Sequence, residues 1–271
     1  MTLSLHHLSL RDVAPADMPA IAAGAGFGAV SLFVEPPGPA LDIFPRIARD
    51  ADAAAAARAC ADAGVAVHGI EVFALDPETD PMAFAPALDR GARLGARVLT
   101  ALVQDADGAR AADRMGALCD MAAARGMDVA LEFMRFSQCR SLAAGAAFVA
   151  RVGHPSLGLL VDPLHLFRTG GTVVELAAMP HGLIRAAQLC DGPLLPPPGP
   201  PFAEAIENRG IPGEGEFPLA AFLRALPPGT PLDVEVPLRR LADAGVTPAD
   251  RAARLLAAAT ASIAAAAEPD G

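Results

Sequence analysis

Four polar side chains close apolar runs in the second half of the chain, and their types suit one kind of chemistry. Glu132 closes Ala-Leu-Glu, Asp162 closes Leu-Val-Asp, Gln188 closes Ala-Ala-Gln and Glu235 closes Asp-Val-Glu. Each run reads as a strand, and neighbouring parallel strands lie about 4.8 Å apart, so four consecutive strand ends can converge on one point. Three carboxylates and a carboxamide oxygen form an all-oxygen donor set, suited to one hard divalent cation such as Mn²⁺, Mg²⁺ or Co²⁺. Without a cation or protons, clustered carboxylates repel one another. Taken singly, each residue could equally cap its strand or pair with an arginine; their recurrence in consecutive strands favours a site.

Around that set stand further candidates. His165 follows Asp162 by three residues, where the strand is expected to pass into its loop, and its imidazole can lean over the metal; packing is the plainer alternative. His68 lies within the third apolar run, as a pocket residue or a core histidine. His6 and His7 share the first strand, so alternation sends one inward and the other toward the helices. Arg209 stands three residues before Pro212-Gly213-Glu214-Gly215-Glu216, where it could hold a substrate carboxylate or phosphate or be ordinary surface charge. Glu132 and Glu235 come from strands that flank the two between them, which places them as an acid/base pair on opposite sides of a bound substrate.

The elements that must position these groups follow a βα rhythm. Strands are predicted at Leu3–Leu8, Ala29–Val34, Val65–Val72, Arg97–Val103, Asp128–Glu132, Leu157–Asp162, Leu183–Leu189 and Leu232–Val236. Helices are predicted at Pro15–Gly24, Ile47–Ala63, Met82–Leu94, Ala109–Arg125, Leu142–Val152, Val173–Ala178, Leu219–Leu226 and Pro248–Ala267. Eight such units without a composition shift point to one (β/α)8 barrel over residues 1–271, with a loose tail at 268–271. An open doubly wound sheet is the alternative, but its glycine-rich first turn is missing: the residues there are Ser9-Leu10-Arg11-Asp12. The proline-stiffened stretch Asp191–Gly215 follows the seventh strand and reads as a lid.

Composition removes whole reaction classes. All 21 basic residues are arginine, and Trp and Tyr are absent, which excludes Schiff-base chemistry and tyrosine acid/base catalysis. A net charge of −10 has the wrong sign for a nucleic-acid partner. Cys60, Cys119, Cys139 and Cys190 are too scattered for a disulfide framework or thiolate site. No apolar run is long enough to span a bilayer and no signal segment opens the chain, so a cytoplasmic location is expected. The expected partner is an anionic or polyhydroxylated small molecule, and the sequence is compatible with a homo-oligomer.

These strand ends resemble the xylose isomerase-like TIM-barrel superfamily, the sugar phosphate isomerase/epimerase group, over nearly the whole chain. Members carry a Glu after strand five, Asp-x-x-His after strand six, usually a His after strand seven and a Glu after strand eight; Glu132, Asp162-Pro163-Leu164-His165 and Glu235 match, and Gln188 departs. Leu131–Met134, Gln188–Pro193 and Arg209–Gly215 are similar to a subgroup that includes bacterial 3-dehydroshikimate dehydratases, where glutamine is also a ligand. The resemblance implies metal bound by Glu132, Asp162, Gln188 and Glu235, and substrate oxygen contacted by His165. It implies a metal-dependent isomerase or epimerase of a small sugar or hydroxy-keto compound, with a dehydratase using the same site as the alternative. The likeness extends to endonuclease IV-type repair enzymes, whose three zinc ions need more histidines than the 6 present here. A barrel that binds without turnover is the non-enzymatic reading.

Overall fold

Alternation within short apolar strands decides what faces the centre of this molecule. In the computed structural model, which describes residues 2–36 and 44–268, the strands are β1 Leu3–His6, β2 Ala29–Phe33, β3 Ala66–Leu75, β4 Val98–Val103, β5 Asp128–Glu132, β6 Leu157–Val161, β7 Ile184–Leu189 and β8 Leu232–Val234. All neighbours pair in parallel, and β1 closes on β8 through Ser4 opposite Asp233 and Leu5 opposite Val234. The result is a single (β/α)8 TIM barrel, as the rhythm predicts.

The helices are α1 Met18–Ala25, α2 Asp50–Ala63, α3 Ala85–Leu94, α4 Gly108–Ala123, α5 Leu142–Val152, α6 Pro163–Arg168, α7 Val173–Ala177, α8 Pro201–Glu207, α9 Leu219–Ala225, α10 Arg239–Asp243 and α11 Pro248–Ala267. Most predicted boundaries hold within a few residues. Three short helices of 5 to 7 residues, α6, α8 and α10, are absent from the predicted set. Glu268 ends α11, and residues 269–271 lie outside the described part. No helix among the described residues is long and apolar enough to cross a membrane.

Outward strand residues such as Leu5, Val30, Leu99, Leu131 and Val161 pack into the main core beneath the helices. The lumen is layered differently. Val98, Ala130, Leu160 and Ala186 fill its floor as a small apolar cluster. Above them come short polar groups, with Ser4 Oγ and Ser31 Oγ 3.3 Å apart. The top layer, at the C-terminal strand ends, divides into an apolar half and a charged half, which is where the chemistry is placed.

Candidate active site

Asp162 shows how the local sequence builds the site. Its backbone leaves β6 extended, and its Oδ1 accepts the Leu164 N–H at 2.7 Å, capping α6, whose first residue is Pro163. That cap turns His165 back over the barrel mouth. The expectation of a loop at His165 is therefore corrected: the residue sits on α6. Its Nε2 lies 3.4 Å from Glu132 Oε1 and 3.9 Å from Asp162 Oδ2. One ligand atom from each of Glu132, Asp162 and His165 falls within 4.8 Å of the others.

Arg209, expected at the lid, lies deeper. The sequence suggests a guanidinium at the lid waiting for an anionic substrate; the structure buries it. Its Nη1 lies 2.6 Å from both Asp162 Oδ2 and Glu235 Oε2, and its Nε donates to Ala205 O at 2.8 Å. Its charge is already shared between two carboxylates. His68 stands apart from these groups. It falls at the irregularity between β2 and β3, three residues and about 10 Å of strand below the mouth, and Glu71 is the charged β3 residue that opens on the site.

Glu71 and His6 are the functional groups that sequence reasoning leaves unassigned. His6 points inward and its Nε2 lies 2.8 Å from Glu71 Oε2 as an ion-pair contact. Its Nδ1 is 3.4 Å from Glu235 Oε1 and accepts the Leu8 N–H at 3.0 Å. Thr100 Oγ1 donates to the other oxygen of Glu71 at 2.9 Å. Alternation already offered one of His6 and His7 to the lumen, whereas nothing in the run Gly-Ile-Glu-Val distinguished Glu71 from a strand carboxylate paired elsewhere.

Electrostatics follow from burial and crowding. Burial, and then Glu235, Asp162 and Glu71, push the Glu132 carboxyl well above its ordinary range. Burial also raises Glu235, to about 7, with Arg209 and His6 opposing the rise. Burial alone would raise Asp162, but Arg209 and the Leu164 N–H hold it below the usual value. Burial lowers His165 to about 4, so its ring is neutral near pH 7. Burial would also lower His6, yet Glu71 and Glu235 outweigh it and raise the ring to about 10, while the Leu8 N–H opposes a proton on Nδ1.

Gln188 supplies the observation that bears on a cation. Ala187 pairs with Val161, so Gln188 stands beside Asp162 across the β6–β7 ladder. The side chain is buried, and its Oε1 has no hydrogen-bond partner. A buried amide oxygen without a donor is costly, and a neighbouring group of mutually repelling carboxylates is costly too. A hard divalent cation relieves both, so the residues fit one.

The lid is tied down by Asp191. Its carboxylate accepts from the backbone N–H groups of Gly192, Gly213, Gly215 and Phe217 at 2.8–3.1 Å. A side chain at Gly215 would collide with that carboxylate, and Gly213 has a left-handed φ of +82°, so the glycines are required here. Within the lid, Phe202 of α8 meets Phe136 edge-on at 5.4 Å, and Phe136 meets His165 in the same way at 5.8 Å.

Comparison with known proteins agrees with the barrel fold. A family model described as xylose isomerase-like TIM barrel matches residues 19–259. No curated protein sequence matches the chain significantly. Among solved structures, the chain is similar to a xylose isomerase-like TIM barrel/4-hydroxyphenylpyruvate dioxygenase fusion protein (TM-score 0.74, 21% identity), covering 94% of this chain and 41% of that one. It thus spans about two fifths of that protein. An IolI protein with a bound zinc atom has a TM-score of 0.81 at 16% identity, covering 97% of this chain and 98% of that one. The D-allulose 3-epimerase of Methylomonas sp., solved with D-allulose, has a TM-score of 0.73 at 17% identity, with 96% of each chain covered.

Proposed function

We propose, for a chain that belongs to the xylose isomerase-like TIM-barrel family, a metal-dependent isomerase or epimerase that moves a proton next to the carbonyl of a small sugar or hydroxy-keto compound. The unpartnered Gln188 Oε1 beside Asp162, in a site where carboxylates crowd without enough positive charge, carries this reading. Glu132, Asp162, Gln188 and Glu235 would hold one divalent cation, with Mn²⁺, Mg²⁺ or Co²⁺ suited to the all-oxygen donor set. When bound, the cation supplies positive charge that polarises a substrate oxygen and acidifies the neighbouring C–H. The IolI relative with zinc and the epimerase relatives with ketose sugars support the same reading.

The chain's own residues then divide the work. Glu132 and Glu235 enter from β5 and just beyond β8, and burial raises both carboxyls, that of Glu235 to about 7. In an epimerase each serves one face of the substrate carbon; in an isomerase the proton taken by one is returned to the adjoining carbon. Neutral His165 would hydrogen-bond a substrate oxygen. Arg209 keeps Asp162 ionised and holds Glu235 down, and so acts as a positioning and charge-setting residue. The lid residues Phe202 and Ile206, with Phe136, border the chamber and help to exclude water.

Gln188 also leaves open a lyase acting on a similar proton and expelling the neighbouring hydroxyl, as the dehydratase resemblance implies. Product analysis separates the two: an isomerase conserves mass, and a dehydratase loses water. The metal itself is tested by elemental analysis after reconstitution, with one cation per chain expected for wild type and none for Asp162→Ala. Wild-type stoichiometry in Asp162→Ala removes this residue from the proposed centre.

A further inference from the structure

The top layer of the barrel is sharply two-sided. Leu8, Phe33, Val72, Leu102 and Met134, from the ends of the first five strands, form a buried apolar cluster of their own. Phe44 stacks on Phe33 at 5.4 Å and extends it toward the mouth. Facing it across a chamber of about 70 Å³ are Glu71, Glu132, His165, Arg209 and Glu235, with Phe136, Phe202 and Ile206 closing the remaining side. Among the described residues that border the chamber, every hydrogen-bonding side chain belongs to that charged group; none is a Ser, Thr, Asn or Gln.

This division restricts the substrate. Each hydroxyl buried against the apolar half would lose its water and gain no partner, at a cost of about 1–3 kcal/mol. A ketose with hydroxyls along its length would place several there. A carboxylate fares no better. Arg209 is committed to Asp162 and Glu235, and Arg168 is spent on Glu204 and on the carbonyls of Pro193 and Leu194. Arg11 lies behind Phe44, 5.9 Å from the ring centroid, and opens on a neighbouring cavity with Asp12 and Asp243.

We propose that the chamber takes an uncharged α-hydroxy ketone whose two adjacent oxygens face the carboxylate half and whose body is hydrocarbon, lying against Phe33, Leu102, Met134 and Phe202. The assignment rests on the proton-transfer reading above and narrows it. The volume, about half that of a cavity known to hold benzene, suits the oxygenated edge of such a molecule, with the hydrocarbon body leading out past the phenylalanines.

The test uses two uncharged probes: adipoin, the acyloin of a cyclohexane ring, and D-fructose. Calorimetry on the Mg²⁺-loaded protein should show adipoin binding tighter by about tenfold or more. Phe202→Ala, at a half-buried lid position, should weaken adipoin by about tenfold and D-fructose by much less. Equal or tighter binding of D-fructose, or no binding of adipoin at millimolar concentration, overturns the proposal. The two readings fail separately. Preferential adipoin binding with no exchange of its α-hydrogen in deuterium oxide defeats the proton-transfer reading and supports the apolar pocket; exchange of D-fructose hydrogen without adipoin binding does the opposite.

Discussion

Replacing Arg209 by alanine removes the one guanidinium that bridges Asp162 and Glu235 at 2.6 Å each. All three side chains are at most 6% exposed, so solvent screens little of the loss. Breaking a buried pair by deleting one partner costs about 3–5 kcal/mol, because the orphaned carboxylates must stay charged in a poor solvent or take up protons. For a chain of this length about 2 °C of melting temperature corresponds to each kcal/mol, so the metal-free variant should melt about 6–10 °C below wild type. A divalent cation addresses the same carboxylates. Calorimetric melting with a chelator and then with excess Mg²⁺ should therefore show a large deficit in the first case and a deficit reduced by at least half in the second. Arg209→Lys, which keeps charge but loses the planar fork, should fall between. The same deficit with and without metal would refute the argument that guanidinium and cation compensate the same charges.

Asp191→Ala should release the lid, since four backbone N–H groups lose their acceptor; amide hydrogen exchange at Gly213, Gly215 and Phe217 should accelerate by about tenfold or more, and unchanged protection would discard the tether. His7 is fully buried with Nε2 2.9 Å from Val13 O, and burial lowers its pKa from 6.5 to about 4. The unfolded chain therefore binds a proton below pH 6.5 that the folded chain refuses, so about 3 kcal/mol of stability present above 6.5 is lost as pH falls toward 4. An NMR titration of the ring is the check; a midpoint between 6 and 7 contradicts it. Cys190, buried beside Asp162 with its thiol pushed up by that burial, should resist thiol reagents until the protein unfolds.

The barrel was legible because its signal is repeated: eight apolar runs spaced by alanine-rich helices, with bounds such as Asp128–Glu132 and Leu142–Val152 met to the residue. The strand-end carboxylates were visible for a related reason, since a charged residue closing an apolar run is rare and these recur. Partnerships across the barrel were not legible. Arg209 looked like a lid residue because sequence position reveals its loop but not the inward turn that brings it to Asp162 and Glu235. Glu71 was hidden by the irregular register of β3, which displaces simple alternation and made His68 look like the lumen residue. His165 was placed near the site but not on its helix, because α6 is too short to show a period and is set by the Asp162 cap. The apolar half of the mouth was unreadable, since Leu8, Val72 and Leu102 differ in no way from core residues until the strands close into a ring.

Glu132 and Glu235 are proposed as a proton-transferring pair within a metal-holding site. The most direct measurement is the rate of α-hydrogen exchange from deuterium oxide into adipoin and D-fructose by Mg²⁺-loaded wild type, Glu132→Gln and Glu235→Gln, with bound metal counted in each. Glutamine keeps an oxygen for the cation and removes the base. Exchange by wild type, with each variant slower by roughly 10²-fold or more while metal is at least partly retained, is the predicted result. Metal-loaded variants that exchange hydrogen at the wild-type rate would contradict it.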